Sequence, residues 1–233
     1  MKAVLLAAGL GTRLQPITHT IPKCLVPIRG KPLLDYWLAM LVNLDDIEHI
    51  YINLHYYHEQ VEAHLSKNWP NHKITTWYEE ELMGTAGTLR ENAKTLANSD
   101  LLVIHADNLS FFDMEHFLSA HHHRPRDTEM TMMLFHTDTP HLCGIVELDD
   151  QRRVVHMHEK VECPPGNLAN GAVYIMAPGV IEYIVAEGMS DLSTQLIPKM
   201  LGRILGWLND DYHRDIGNPE SYRLAQADVE ARK

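Results

Sequence analysis

No stretch of this chain stays apolar for the ~20 residues that a membrane-spanning helix needs. The longest apolar stretch near the N-terminus, Ala3 to Ala8, is too short for a signal-peptide core, and glycine-rich sequence follows it. A cytoplasmic protein without a membrane partner is therefore expected. Cysteine is scarce. Cys24, Cys143 and Cys163 are an odd number with no CxxC, which favours neither a disulfide framework nor a zinc site. Positive charge is also in short supply. Twenty Lys and Arg face 31 Asp and Glu, a formal net charge of −11, and such a surface repels nucleic-acid backbones. Small anionic substrates stay open if a few cations converge in one cleft. No Ser/Gly linker, low-complexity stretch or internal repeat interrupts the chain. Residues 1–233 therefore read as a single domain, with halves of about 1–110 and 111–233. What is present is a core: hydrophobic residues make up 45% of the 233 and charged residues 22%, a globular balance.

The first half alternates strand and helix patterns. Lys2 to Ala8 is a near-continuous apolar run ending at Gly9, as a buried parallel strand requires. Leu34, Trp37, Leu38 and Leu41 fall on one helical face. His49–Leu54, Lys73–Tyr78 and Leu101–His105 read as strands, with helical patterns over 59–65 and 88–96. This alternation predicts an α/β fold, a doubly wound and mainly parallel sheet. The second half carries strand-like runs at 129–135, 144–148, 154–158 and 171–176, then helices at 178–186 and 193–201, with Ser190 or Asp191 as N-cap. A helical pattern over 219–231 closes the chain. His121-His122-His123 reads as a solvated helix end, because three consecutive helical residues cannot face one ion.

The loop after the first strand carries chemistry. Gly9-Leu10-Gly11 lets the backbone approach a phosphate and turn N–H groups toward it. Leu14 stands where a dinucleotide-binding fingerprint has glycine, and no Walker Lys-Ser/Thr follows. Arg13 and Lys23 come next, in a loop stiffened by Pro16 and Pro22.

Gly9-x-Gly11-Thr12-Arg13-Leu14-x-Pro16-x-Thr18-x-x-x-Pro22-Lys23-x-Leu25-x-Pro27 closely resembles the signature of the sugar-1-phosphate nucleotidyltransferases, or NDP-sugar pyrophosphorylases. Leu82-Met83-Gly84-Thr85-Ala86-Gly87, His105-Ala106-Asp107-Asn108, Glu159-Lys160, Asn170-Gly171 and Arg214-Asp215-Ile216-Gly217 find counterparts too, so the resemblance covers roughly residues 1–225. It looks closest to guanylyltransferases acting on mannose 1-phosphate or a manno-heptose 1-phosphate. It departs from many relatives in ending before an appended C-terminal β-helix. The resemblance implies a Rossmann-like mixed sheet, a triphosphate and a sugar 1-phosphate as substrates, Mg²⁺ as cofactor, and a monomer or homodimer. It implies catalytic roles for Arg13, Lys23 and Asp107, with Asp107 and Asp215 as metal ligands. Leu6, Ala8, Gly9, Gly11, Thr12, Glu79, Gly84, Thr85 and Ala86 would bind nucleotide. Asn108, Gly144, Glu159, Lys160, Asn170 and Gly171 would bind the sugar phosphate.

The residue types suit the implied reaction, attack of a sugar-phosphate oxygen on an α-phosphorus. With a second phosphate pKa near ~6 that oxygen is already ionised, so no general base is needed. The difficulty is electrostatic, and cations plus a metal meet it. Glu79 is the expected base reader. A carboxylate accepts only, and guanine offers two adjacent donors, N1–H and N2–H. Its plain alternative is a solvated glutamate in the acidic run Glu79–Glu81. Three other readings stay open: uridylyl or thymidylyl transfer to another sugar 1-phosphate, such as glucose or N-acetylmuramic acid; a nicotinamide-dependent dehydrogenase; and a nucleotide-sugar-sensing subunit without turnover.

Overall fold

The computed structural model describes residues 1–70 and 72–232. In chain order the strands are β1 (Lys2–Leu6), β2 (Pro27–Ile28), β3 (Lys31–Pro32), β4 (His49–Leu54), β5 (Ile74–Tyr78), β6 (Leu101–His105), β7 (Asn108–Phe111), β8 (Met130–His136), β9 (Gly144–Leu148), β10 (Val154–Glu159), β11 (Leu168–Met176), β12 (Ile204–Leu208) and β13 (Tyr212–Asp215). The helices are α1 (Leu33–Leu41), α2 (His58–Asn68), α3 (Thr85–Glu91), α4 (Ala93–Leu96), α5 (Met114–His122), α6 (Pro178–Ala186), α7 (Ile197–Met200) and α8 (Pro219–Ala231). No helix among the described residues is long and apolar enough to cross a membrane. The fold is α/β with parallel and antiparallel strand pairs.

Contacts divide the chain into two compact units. The first takes Met1–Leu82, Ile104–Phe111 and the segment from Tyr212. The second takes Met83–Val103 and Phe112–Asp211.

In the first unit β1 pairs in parallel with β4, and β4 with β5. Ala3 to Leu6 of β1 are buried, which is why the strand reads as an unbroken apolar run. The small antiparallel pair β7–β13 was not expected. Asn108-Leu109-Ser110-Phe111 lies against Tyr212-His213-Arg214-Asp215, with Asn108 opposite Asp215. Beside it sits a compact apolar cluster of Leu14, Val26, Ile28, Leu33, Leu109, Ile216, Ala225 and Val229. α8 begins with a capping box, in which Asn218 and Ser221 satisfy each other's N–H groups. It is fastened by Tyr222 and Gln226, which both donate to the Pro27 carbonyl.

In the second unit β8 runs antiparallel to β11 and parallel to β12, while β9 pairs antiparallel with β10. The expected helix over 193–201 is two pieces, a π turn over Leu192–Leu196 and then α7. Its expected cap holds: Asp191 accepts from the Thr194 N–H. The helical pattern at 88–96 likewise divides into α3 and α4.

The histidine triplet needs one correction. His122 and His123 are exposed, but His121 is fully buried, with Nδ1 at 2.9 Å from Thr131 Oγ1. One face of α5 points inward, and the i, i+3, i+4 series Met114, Phe117, Leu118, His121 follows it. Burial first, then the charges of Arg124 and His122, push the imidazole down to about 3. The unfolded chain binds a proton near pH 6.5 and the folded chain does not. The neutral histidine's contribution is therefore complete above pH 6.5 and is lost as pH falls toward 3. Chemical denaturation at a series of pH values should show wild type losing about 1.4 kcal/mol more per pH unit below 6.5 than His121→Gln. Parallel curves for the two proteins would contradict this.

Candidate active site

The first strand ends in a loop shaped by close contacts. Gly11 adopts φ 65°, and a Cβ there would come within 2.9 Å of Thr18 Cγ2 and 3.1 Å of Lys23 Cβ. Thr18 closes the loop by donating its hydroxyl to the Gly11 carbonyl at 2.7 Å. The turn Thr12–Leu14 buries Leu14 and leaves Thr12 and Arg13 exposed. Arg13 makes no hydrogen bond or ion pair with any described residue, although its charge acts on Asp215. Leu6 and Ala8 are buried and Gly9 is open to solvent.

Lys23 is only 6% exposed, an uncommon state for a lysine, and it is paired. Its ammonium donates to Asp107 Oδ2 at 2.7 Å and stands 3.6 Å from Asp215 Oδ1. The β7–β13 pair is what brings these two aspartates together. Asp107 immediately precedes β7 and Asp215 closes β13, and the Ile216 N–H donates to the Asp107 carbonyl at 3.2 Å. Gly217 makes room for the Asp215 carboxylate, whose Oδ2 lies 2.5 Å from where a Cβ would project. Burial works to raise the Asp107 carboxyl, but Lys23 and His105 outweigh it and hold it below the usual carboxylate range. Asp215 goes the other way. Burial and the Asp107 charge raise it against the pull of Lys23 and Arg13. Leu14 and Ile216 of the apolar cluster directly follow Arg13 and Asp215, and the Val26 N–H of the same cluster donates to the Lys23 carbonyl at 3.1 Å. Asn108, 6% exposed, fixes the start of β7 through its carbonyl, which accepts from the Trp37 indole at 2.8 Å.

Two oxygen-donor carboxylates on one locus fit a hard divalent cation that takes its other ligands from phosphates and water. Among the described residues no group of three or more His, Cys, Asp or Glu could hold a metal by itself. Cys24, next to Lys23, is no nucleophile: burial pushes its thiol up to about 12.

Glu79 departs from its plain reading as a solvated residue. It is 3% exposed, and its Oε1 accepts from Asn53 Nδ2 at 2.8 Å. Asn53 was not expected in the site. Its signal was present in the sequence as a polar residue inside the apolar strand β4.

In the second unit, Gly84 has φ 79°, and a Cβ there would run into the Ser190 carbonyl. That carbonyl accepts from the N–H groups of Ala86 (3.1 Å) and Gly87 (3.2 Å). Thr85 Oγ1 accepts from the Leu192 N–H at 2.8 Å and donates to Asp191 at 3.3 Å. The start of α3 is thus bolted to 190–192. Gly84→Ala should lower stability by about 1–3 kcal/mol through strain and overlap. A melting temperature unchanged from wild type would refute that.

Gly144 faces Glu159 across β9–β10, and a Cβ would approach Glu159 Oε2 to 2.6 Å. Lys160, exposed, lies 3.1 Å from Glu159 Oε1. Asn170 stands at a break in the β8–β11 register. Its Nδ2 donates to the Tyr174 hydroxyl at 2.8 Å and its Oδ1 accepts from the Ala172 N–H at 2.9 Å. Gly171 is buried beside it.

Comparison with known proteins gives this geometry its setting. Residues 2–232 match the family model described as nucleotidyl transferase. A Mycobacterium tuberculosis protein named mannose-1-phosphate guanylyltransferase is 31% identical over 232 residues, 97% of this chain and 64% of the relative. This chain thus spans just under two thirds of that relative, and it spans 54% of a Sulfolobus acidocaldarius one. An Aneurinibacillus thermoaerophilus protein named D-glycero-alpha-D-manno-heptose 1-phosphate guanylyltransferase is 28% identical, with 99% of both chains covered. Among solved structures, HddC from Yersinia pseudotuberculosis superposes with a TM-score of 0.79 at 26% identity, covering 98% of this chain and 99% of that one. The same protein is also known in complex with GMP-PN. The family match runs almost from end to end, and the glycine loop, buried lysine and paired aspartates fall inside it, so this chain belongs to the nucleotidyl transferase family.

Proposed function

We propose that this chain transfers a guanylyl group from GTP to the 1-phosphate of a manno-configured sugar, mannose or a manno-heptose, releasing pyrophosphate. The observation that carries the guanine assignment is Glu79, a buried carboxylate oriented by Asn53 at the end of β5. It accepts hydrogen bonds and cannot donate them, which matches the N1–H and N2–H edge of guanine and opposes a carbonyl of uracil or thymine. The relatives named as guanylyltransferases support the same choice.

Arg13, which makes no hydrogen bond or ion pair among the described residues, is suited to the charge that grows on leaving pyrophosphate, and its planar fork matches phosphate oxygens. Gly9, Gly11 and Thr12 supply the close backbone approach. Lys23 sets the local charge balance against Asp107 and Asp215 and binds triphosphate. Asp107 and Asp215 would hold Mg²⁺, which when bound neutralises phosphate charge and polarises the reacting phosphoryl group. Lys160 takes the sugar phosphate. Asn108, Gly144, Glu159, Asn170 and Gly171 meet the sugar, with Gly144 leaving room beside Glu159. No side chain has to remove a proton from the nucleophile.

The test is a matrix of nucleoside triphosphates against sugar 1-phosphates, followed by pyrophosphate release in wild type and Glu79→Gln. GTP with a manno-configured sugar should be the best pair. The variant should lower kcat/KM for GTP by about 5- to 150-fold relative to dTTP, the cost of a mispaired polar edge. A wild-type preference for UTP or dTTP would overturn the guanine assignment and leave nucleotidyl transfer standing.

A further inference from the structure

We infer that Asn53 is a positioning residue for nucleotidyl transfer: it ties the phosphate loop to buried Glu79 and so sets where that loop begins. This rests on nucleotidyl transfer and not on which base is used. The parallel register of β1 and β4 ends with Leu6 opposite Asn53. Beyond that pair the ladder stops, and a side chain continues it. The Ala7 N–H donates to Asn53 Oδ1 at 2.7 Å, and Asn53 Nδ2 donates to Glu79 Oε1 at 2.8 Å. Glu79 is itself anchored through the backbone, its N–H donating to the Leu54 carbonyl and its carbonyl meeting His55 Nδ1, both at 2.8 Å. Asn53 is 4% exposed and Glu79 3%, so the bond between them is shielded from bulk water, and the Ala7 bond is partly buried beside it.

The arrangement needs a short amide. Aspartate would accept from Ala7 but give nothing to Glu79. Serine is shorter, and leucine offers no polar group. Ala7 lies two residues before Gly9, and the far end of the loop is held by Leu14 and by the Thr18 bond to Gly11. With that end fixed, the position of Ala7 decides how Gly9 and Gly11 meet a phosphate and where Arg13 stands. A displacement near 1 Å in such a site can cost about a hundredfold in rate. The same carboxylate that faces the base in the proposed function therefore also tethers the loop that faces the phosphates.

The experiment compares Asn53→Ala, Asn53→Asp, Glu79→Gln and the double variant Asn53→Asp/Glu79→Gln. Steady-state pyrophosphate release is measured with mannose 1-phosphate and with every triphosphate the wild type uses, and each protein is melted by circular dichroism. Asn53→Ala and Asn53→Asp should lower kcat tenfold or more by about the same factor for every triphosphate, with a smaller change in KM. The double variant reverses the polarity of the bridge, because the new amide at 79 can donate to the new carboxylate at 53. Its kcat should return to within about threefold of Glu79→Gln alone. A changed GTP-to-UTP ratio in Glu79→Gln reports on base reading and leaves the role of Asn53 untouched. Asn53 variants that melt earlier but keep kcat within about threefold would reduce it to a fold stabiliser and overturn the inference. So would a double variant that folds yet stays tenfold below Glu79→Gln. Should both single Asn53 variants fail to fold, the double variant decides alone by that same comparison.

Discussion

Replacing Arg13 with alanine should lower kcat by about 10²- to 10³-fold while KM for either substrate stays within about threefold. The guanidinium is exposed and has no hydrogen bond or ion pair to any described residue. Its one charge interaction among the described residues is with Asp215, across an exposed site, so truncation should leave the melting temperature near wild type. The turn that carries it is nevertheless held firmly, with Leu14 buried on one side and Gly11 closed on Thr18 on the other. A fixed, unpaired cation costs little reorganisation when negative charge moves onto a leaving group, and that is where electrostatic catalysis gains most. In the proposed function, ground-state triphosphate is by contrast held by the Gly9–Thr12 backbone and Lys23 as well. Arg13→Lys keeps the charge and loses the planar fork, so it should fall between wild type and alanine. Initial rates at saturating substrate, with full KM determinations, check the split. A large rise in KM at constant kcat would make Arg13 a ground-state binding residue only.

The parts of this molecule legible in sequence are those whose side chains announce their burial locally. β4, β6, β9, α6 and α8 stand where apolar runs, helical spacing or turn residues placed them. β1 carries four buried residues in a row and reads as a strand without any knowledge of its partners. β7 and β13 gave no such signal. Tyr-His-Arg-Asp has little β propensity, and it forms a strand only because Asn108–Phe111, half the chain away, offers a complementary edge. That long-range pairing is what joins Asp107 to Asp215, a link that resemblance supplied and spacing could not. The burial of Lys23 was hidden for the same reason, since a lysine in a loop reads as solvated until the carboxylates that neutralise it are located. Glu79 left two readings open for the same reason: an acidic run looks exposed, yet Asn53 holds its first member inside. The contact of Gly84 with Ser190 and the burial of His121 are likewise tertiary facts, set by what packs against a local pattern.

Asp107→Asn should cost about three orders of magnitude in turnover, and added Mg²⁺ should not restore it. In the proposed function the side chain has two jobs, and the two can be separated. It is one of two carboxylates able to hold a metal, and it is also the nearer partner of the Lys23 ammonium, at 2.7 Å against 3.6 Å for Asp215. Asparagine keeps an oxygen near the ammonium and removes the charge, leaving a buried lysine with the longer contact alone. Some loss of stability is therefore expected, and it is a modest one because the Asp107 side chain remains 39% exposed to screening water. The double variant Asp107→Asn/Lys23→Met separates the two jobs. Removing the ammonium together with its partner abolishes the uncompensated charge, so the melting temperature should recover toward that of Lys23→Met alone. Activity should not recover, because the proposed function needs both the carboxylate for the metal and the cation for the triphosphate, and neither has been replaced. Titration with Mn²⁺ in the presence of nucleotide, read by electron paramagnetic resonance, adds a measure independent of turnover. Asp107→Asn should weaken Mn²⁺ binding at least about tenfold, as loss of a charged ligand from a hard-cation site requires. If Asp107→Asn lost stability yet bound Mn²⁺ as wild type does, Asp107 would serve only to neutralise Lys23, and the metal would have to rest on Asp215 and the substrate phosphates.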